Sequence, residues 1–107
     1  MDKEMLKGSI DLLILSLINQ RDLYGYEITK ILKQLSDEQY EMSEGTLYPA
    51  LKRLEKQESI LSYWSETSAG RRKYYRITET GVKELEKKQR NWNLVENLVR
   101  KSSEGLI

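Results

Sequence analysis

Between residues 43 and 77 the chain changes hydrophobic period, from that of a helix to that of strands, and few small folds accommodate the order. In SEGTLYPALKRLEKQ, residues 43–57, Leu47, Leu51 and Leu54 follow i, i+4, i+7 and form one helical face. Tyr48, Lys52 and Lys56 fall on the other faces, with Arg53 and Glu55 at the margin. ILSYWSE and RRKYYRI come next, both enriched in β-branched or aromatic residues, and the TSAG between them supplies the small residues and glycine of a hairpin loop. Within the second run Tyr75 and Ile77 share one face, Tyr74 and Arg76 the other. A two-stranded ribbon is marginal in water, so it is expected to pack on the helices as a wing.

Two registers are open for the start of the helix. If Ser43 caps it, Pro49 lies six residues in and removes a backbone hydrogen bond. If Thr46 caps it, Pro49 takes the third helical position, where a missing N–H is harmless. The second is the cheaper in backbone terms, with Ser-Glu-Gly as an approach segment. Either way Thr46, Tyr48 and Lys52 are presented away from the leucines.

Two helices are expected ahead of this unit. Residues 5–20 carry Leu6, Ile10, Leu13, Ile14 and Leu17 on one face, widened by Leu12, Leu15 and Ile18, so this helix is either centrally buried or a dimer contact. Asp22 can cap a second helix over residues 23–35, with Ile28, Ile31, Leu32 and Leu35 at helical spacing and Gly25 placed for a close helix crossing. SDEQYEM is too short and polar for another long helix. Three helices, the third short and preceded by a tight connection, make a helix-turn-helix. The fold class is therefore α+β, a winged helix-turn-helix over residues 1–77.

Residues 78–107 read as one more helix with a frayed SSEGLI tail. Thr78 caps it, Glu79 lies in its first turn, and Val82, Leu85, Trp92 and Val99 are spaced by three, seven and seven. Seven-residue spacing is the mark of a partner helix, although Gln89 interrupts the seam, so a short intermolecular bundle of two copies is expected. Leu94, Val95 and Leu98 add apolar surface near its end.

With 107 residues the chain makes one small domain, and a hydrophobic fraction of 38% favours self-association to complete the core. It has no cysteine and no histidine, which removes thiol chemistry, the usual zinc ligands and the histidine-based triads. Its carboxylates form no isolated pair in an apolar setting, so no enzymatic activity, metal or cofactor is expected. No apolar run approaches the roughly 18 to 20 residues that span a bilayer, and MDKEMLKGSIDLL is too polar for a signal peptide, so no membrane partner and a cytoplasmic location are expected.

Net charge is only +1, but its distribution is uneven. Residues 43–76 hold seven lysines and arginines against four carboxylates, whereas residues 1–42 hold five against eight. The surplus coincides with the third helix and the ribbon, as a phosphate-facing surface requires. Arg71, Arg72, Lys73 and Arg76 suit phosphates or a minor groove, while Tyr48 and Lys52 suit a major-groove edge. Two such modules reach successive major-groove faces of a pseudo-palindromic operator when about 34 to 36 Å apart. Trp92, between Asn91 and Asn93, can meet its symmetry mate and stack a planar ligand, with Leu12, Leu15 or Val95 as apolar lining and Asn91 or Glu96 as a polar rim. A winged-helix protein-interaction module without specific DNA binding is the alternative reading.

LYGYEI (23–28), GTLYPALKRLE (45–55), the Tyr-Trp at 63–64, GRRKYYRIT (70–78) and Gly81 together resemble the PadR-like transcriptional repressors, the phenolic-acid-responsive regulators, over roughly residues 5–100. The resemblance implies a homodimer that represses a nearby promoter and is relieved by ligand. It also implies that Tyr48 and Lys52 contact DNA from the recognition helix and that Gly70, Arg71 and Lys73 do so from the wing. Trp92 with LVENL at 94–98 is similar to the aromatic centre of multidrug-binding members, in which paired tryptophans sandwich flat cationic drugs. The single C-terminal helix resembles the short subgroup. Where the family pattern has a glycine ahead of the wing, this chain has Ser59, which implies a slightly different helix end.

Overall fold

Leu47, Leu51 and Leu54 are exposed by only 1%, 1% and 0%, and the remaining elements are arranged around them. The computed structural model describes residues 7–105. A 3-10 turn at Lys7–Ser9 leads into α1 (Ile10–Gln20), a short strand β1 (Leu23–Tyr24), α2 (Gly25–Leu35) and α3 (Glu44–Lys56). The hairpin β2 (Ile60–Thr67) and β3 (Gly70–Ile77) follows, then the long α4 (Glu79–Ser103). Ile14, Leu15 and Ile18 of α1 and Ile28 and Leu32 of α2 close on the α3 leucines, so α1 is centrally buried. Met5 and Leu6, the start of the expected first helix, lie outside the described residues.

Asp22 does not cap α2. Leu23 is fully buried, and the chain reaches that position in extended form, pairing Leu23 with Tyr75 and Tyr24 with Tyr74. The wing is thereby a three-stranded antiparallel sheet, in the order β1-β3-β2, where a two-stranded ribbon was expected. Tyr24 takes the cap position, and its backbone N–H donates to Glu27 Oε1 at 3.2 Å. The expected close crossing at Gly25 is present: a Cβ there would lie 2.6 Å from the Tyr48 hydroxyl of α3.

α3 begins in the Ser43 register, not the Thr46 register favoured on backbone cost. The N–H groups of Thr46 and Leu47 both donate to the Ser43 carbonyl, at 3.1 and 2.9 Å. Pro49 therefore sits inside the helix and leaves the Gly45 carbonyl without its usual donor. Gly45 is exposed, so water can take that place and the cost stays small. The helix ends in a Schellman turn: Ser59 N–H donates to Leu54 O at 2.9 Å and Glu58 N–H to Glu55 O at 3.0 Å. The left-handed residue is Glu58, with φ at 62°, one position before the Ser59 singled out in the sequence.

At the start of α4 the Gly81 N–H donates to Thr78 Oγ1 at 3.0 Å, so Thr78 caps as expected. Val82 is half-buried and Leu85 packs against the chain's own core, so these two seam residues are engaged within the protomer. From Gln89 to Gly105 every residue is exposed. Ser102 and Ser103 are helical, so the helix extends further than the frayed tail expected there. Replacing Glu58 by glycine removes the side-chain penalty of the left-handed conformation and should stabilise the protein by about 0.5–1 kcal/mol. Urea unfolding checks this; an unchanged or lower midpoint would count against the strain.

Candidate nucleic-acid interface

Burial of the leucine face turns Tyr48 and Lys52 outward, and Thr46 is half-buried one turn before Ala50. Tyr48 is 46% exposed, its ring lying across Gly25 at the start of α2. The wing turns through Ser68 and Ala69, with Thr67 paired to Gly70. Thr67 Oγ1 accepts from the Ala69 N–H at 3.2 Å and donates to the Gly70 carbonyl at 2.6 Å. Gly70 has φ at 112°, which only glycine adopts readily, and a Cβ there would have no neighbour within 4 Å. The tip is therefore open to an approaching backbone.

Aromatic rings, not carboxylates, hold the wing cations in place. The Arg71 guanidinium lies 4.8 Å over Trp64, Arg72 lies 4.3 Å over Tyr24, and the Lys73 ammonium lies 5.8 Å from the Tyr75 ring. Among the described residues none of Lys52, Arg71, Arg72 and Lys73 has a carboxylate partner. Arg53 and Arg76, by contrast, are paired with Asp11 and Asp22. A cleft of about 500 Å³ runs between α3 and the wing, walled by Tyr26, Tyr48 and Trp64 with Arg72 and Lys73 on its rim. Its cations are positioned yet uncompensated, which suits a polyanion.

Asp22 braces the wing from the other side. Its carboxylate accepts from the Tyr63 hydroxyl of β2 and from Arg76 Nε of β3 at 3.1 Å, while Arg76 lies 5.0 Å over the Tyr63 ring. Tyr63 stacks on Tyr74 at 5.8 Å, and Tyr74 meets Tyr24 edge-on at 5.5 Å, so one aromatic row crosses all three strands. Partial burial pushes the Asp22 pKa up, but the hydrogen bonds from Arg76 and Tyr63 and the Arg76 charge outweigh it and hold the carboxyl below its ordinary value. The hydrogen bond to Asp22 raises both the Tyr63 and the Arg76 pKa.

Trp92 sits on the projecting half of α4, 47% exposed. It lines a cleft of about 280 Å³ with Leu12, Asn91 and Val95. A second cleft brings it together with Val95, Glu96, Val99 and Arg100. Leu15 does not reach this place: it is fully buried in the core, on the inner face of α1, and cannot line a pocket at Trp92. Tyr24, Tyr26 and Trp64 at the cleft, and the Asp22 brace on the other side of the wing, were not among the residues expected from the sequence. A two-residue turn at Ser68 and Ala69 sets the register that opposes Trp64 to Lys73, so that pairing was readable; the long-range Asp22 brace left no local signal.

Fold and surface together define a winged helix-turn-helix protein with an extended C-terminal helix. Residues 14–87 match the model of the "Transcriptional regulator PadR-like family", and the chain belongs to that family. Its members are transcriptional regulators, not enzymes, and PadR regulators are dimeric DNA-binding repressors. A Lysinibacillus sphaericus protein of uncharacterised function is 38% identical over 104 residues, covering 96% of this chain and 95% of the relative. The transcriptional regulator YqjI of Escherichia coli is 30% identical over 93 residues, 87% of this chain but only 44% of that protein's length. A Clostridium thermocellum transcriptional regulator superposes with a TM-score of 0.86 at 42% identity, covering 94% of this chain and 96% of that one. A PadR-like regulator from Bacillus cereus gives 0.84 at 35% identity, over 97% and 100% of the two chains. No helix among the described residues is long and apolar enough to cross a membrane.

The depressed Asp22 pKa stabilises the fold above the ordinary carboxylate range, and the contribution is lost as pH falls through the folded-state value. Asp22→Asn should therefore cost up to about 1 kcal/mol at neutral pH, given how exposed the pair is. The difference from the unmodified protein should shrink below about pH 4. Urea midpoints across pH check this; a constant difference would exclude the ion pair as its origin.

Proposed function

We propose that the chain is a dimeric, sequence-specific DNA-binding repressor whose α3 enters the major groove while the wing tip reaches the flanking backbone or minor groove. The observation that carries this reading is the cleft that Tyr48 of α3 shares with Arg72 and Lys73 of the wing, cations that, like Lys52 and Arg71, have no carboxylate partner among the described residues. In this reading Lys52 and Tyr48 read base edges, the cations of the wing hold phosphates, and Gly70 lets the hairpin tip approach closely. Residues 1–77 form the reading head and residues 78–107 the pairing element.

Pairing is supported by the second half of α4. Trp92, Val95 and Val99 form one apolar stripe with Leu94 and Leu98 beside it, all between 47% and 60% exposed. Such a contiguous apolar face belongs against a second copy of the helix. Two-fold symmetry then brings the two Trp92 rings toward one another, and a planar aromatic or cationic effector stacked between them would alter the spacing of the heads. Leu12 and Val95 supply the apolar lining and Glu96 a negative charge for a cation. On this reading the chain is one of the short, single-helix, multidrug-binding regulators.

A duplex carrying the protein's own promoter should bind saturably, with affinity falling as salt rises. Arg71→Ala should weaken all duplexes alike and reduce the salt slope by about one, whereas Lys52→Ala should relax selectivity at one base position, by about 1–3 kcal/mol. Equal, weak binding of every duplex by the unmodified protein would refute sequence-specific reading. Trp92 fluorescence should change on titration with planar aromatic cations, together with DNA affinity. A broad panel that moves neither would remove the effector site and leave the DNA reader standing.

A further inference from the structure

The end of the DNA-facing helix and the beginning of α4 are fastened together at one point. The Schellman turn after α3 aims two consecutive carbonyls, of Glu58 and Ser59, at Thr78. Thr78 Oγ1 donates to Glu58 O at 2.6 Å and contacts Ser59 O at 3.0 Å, and the Thr78 N–H donates to Ser59 O at 3.1 Å. The same hydroxyl oxygen accepts the Gly81 N–H at 3.0 Å. One side chain thus caps α4 and ties it to the turn that ends α3.

Gly81 removes the slack from this joint. It is buried, and a Cβ built on it would overlap the Ser59 carbonyl oxygen and lie 2.7 Å from Ile77 Cγ1. Backbone atoms form the wall, so the first turn of α4 rests directly on the turn after α3. Ile60 and Ile77, paired at the base of the wing, flank the same point. From this joint α4, 25 residues long in all, runs on to carry the apolar stripe in its far half.

We propose that Thr78 and Gly81 are positioning residues, which fix the direction of α4 relative to α3 and so set the separation of the two recognition helices in the dimer. This rests on the dimeric DNA-reading function proposed above. A long helix amplifies a small rotation at its root into a displacement at its end, so rigidity here is what turns dimer geometry into half-site spacing.

The test uses the absence of cysteine, which allows clean labelling. Spin labels at Lys52→Cys and Asn97→Cys, with labelled chains diluted in unlabelled, report the angle between α3 and α4 within one protomer whether or not DNA binds. Thr78→Val, which loses the hydroxyl at constant shape, should broaden a narrow distance distribution, and Thr78→Ser should restore it. In the unlabelled proteins, discrimination between an operator of native spacing and one lengthened by one base pair should fall about fivefold or more in Thr78→Val and recover in Thr78→Ser. A lower melting temperature with an unchanged distance distribution overturns the proposal. So does a broadened distribution with unchanged spacing discrimination. An unmodified protein that binds DNA without any spacing preference overturns the dimeric-reader function and, with it, the link from the joint to spacing, while the distance measurement still reports whether the joint is rigid.

Discussion

Complete burial of the α3 leucines is the constraint on which the rest of the structure depends. Leu47, Leu51 and Leu54 stand at helical spacing, and once they enter the core against Ile14, Ile18 and Ile28 the rotation of α3 about its axis is fixed. Tyr48 and Lys52 then face outward with no further specification. The same burial tolerates Pro49, because the carbonyl it deprives belongs to exposed Gly45, and a small loss there is outweighed by three buried leucines. The wing is brought beside this face because Ile60 and Tyr75 are buried under the same core.

Charge on the molecule is divided by the company it keeps. Arg53 and Arg76 have carboxylates beside them and serve the fold, one joining α3 to α1 and the other bracing the sheet through Asp22. Arg71, Arg72 and Lys73 are held by Trp64, Tyr24 and Tyr75. A ring orients a cation without cancelling its charge, so the wing keeps both order and a positive field. A net charge of +1 conceals this completely, since the neutralising acids lie in other parts of the chain.

Periodic signals were legible in the sequence, and signals that depend on distant partners were not. The leucine stripe, the wing strands and the Thr78 cap follow from local spacing, and the structure has all three. Strand β1 was missed because Leu23 and Tyr24 are too few to show alternation, and their pairing with Tyr75 and Tyr74 crosses half the chain. The start of α3 is not legible from backbone cost alone, because the Ser43 carbonyl accepts two N–H groups in the register that formed. Leu15 was indistinguishable from Leu12 on a helix apolar nearly all round, and only packing separates the buried residue from the one beside Trp92.

The central claim is that one surface, α3 with the wing tip, meets DNA while the far half of α4 is covered by a second copy. Hydrogen exchange of the full chain, free and bound to its promoter duplex, tests both halves at once. The account predicts new protection in α3 and around Gly70 on adding DNA, and protection of α4 beyond Gln89 that is already present without it. Protection by DNA confined to other elements, or rapid exchange along the whole exposed half of α4 in both states, would contradict it.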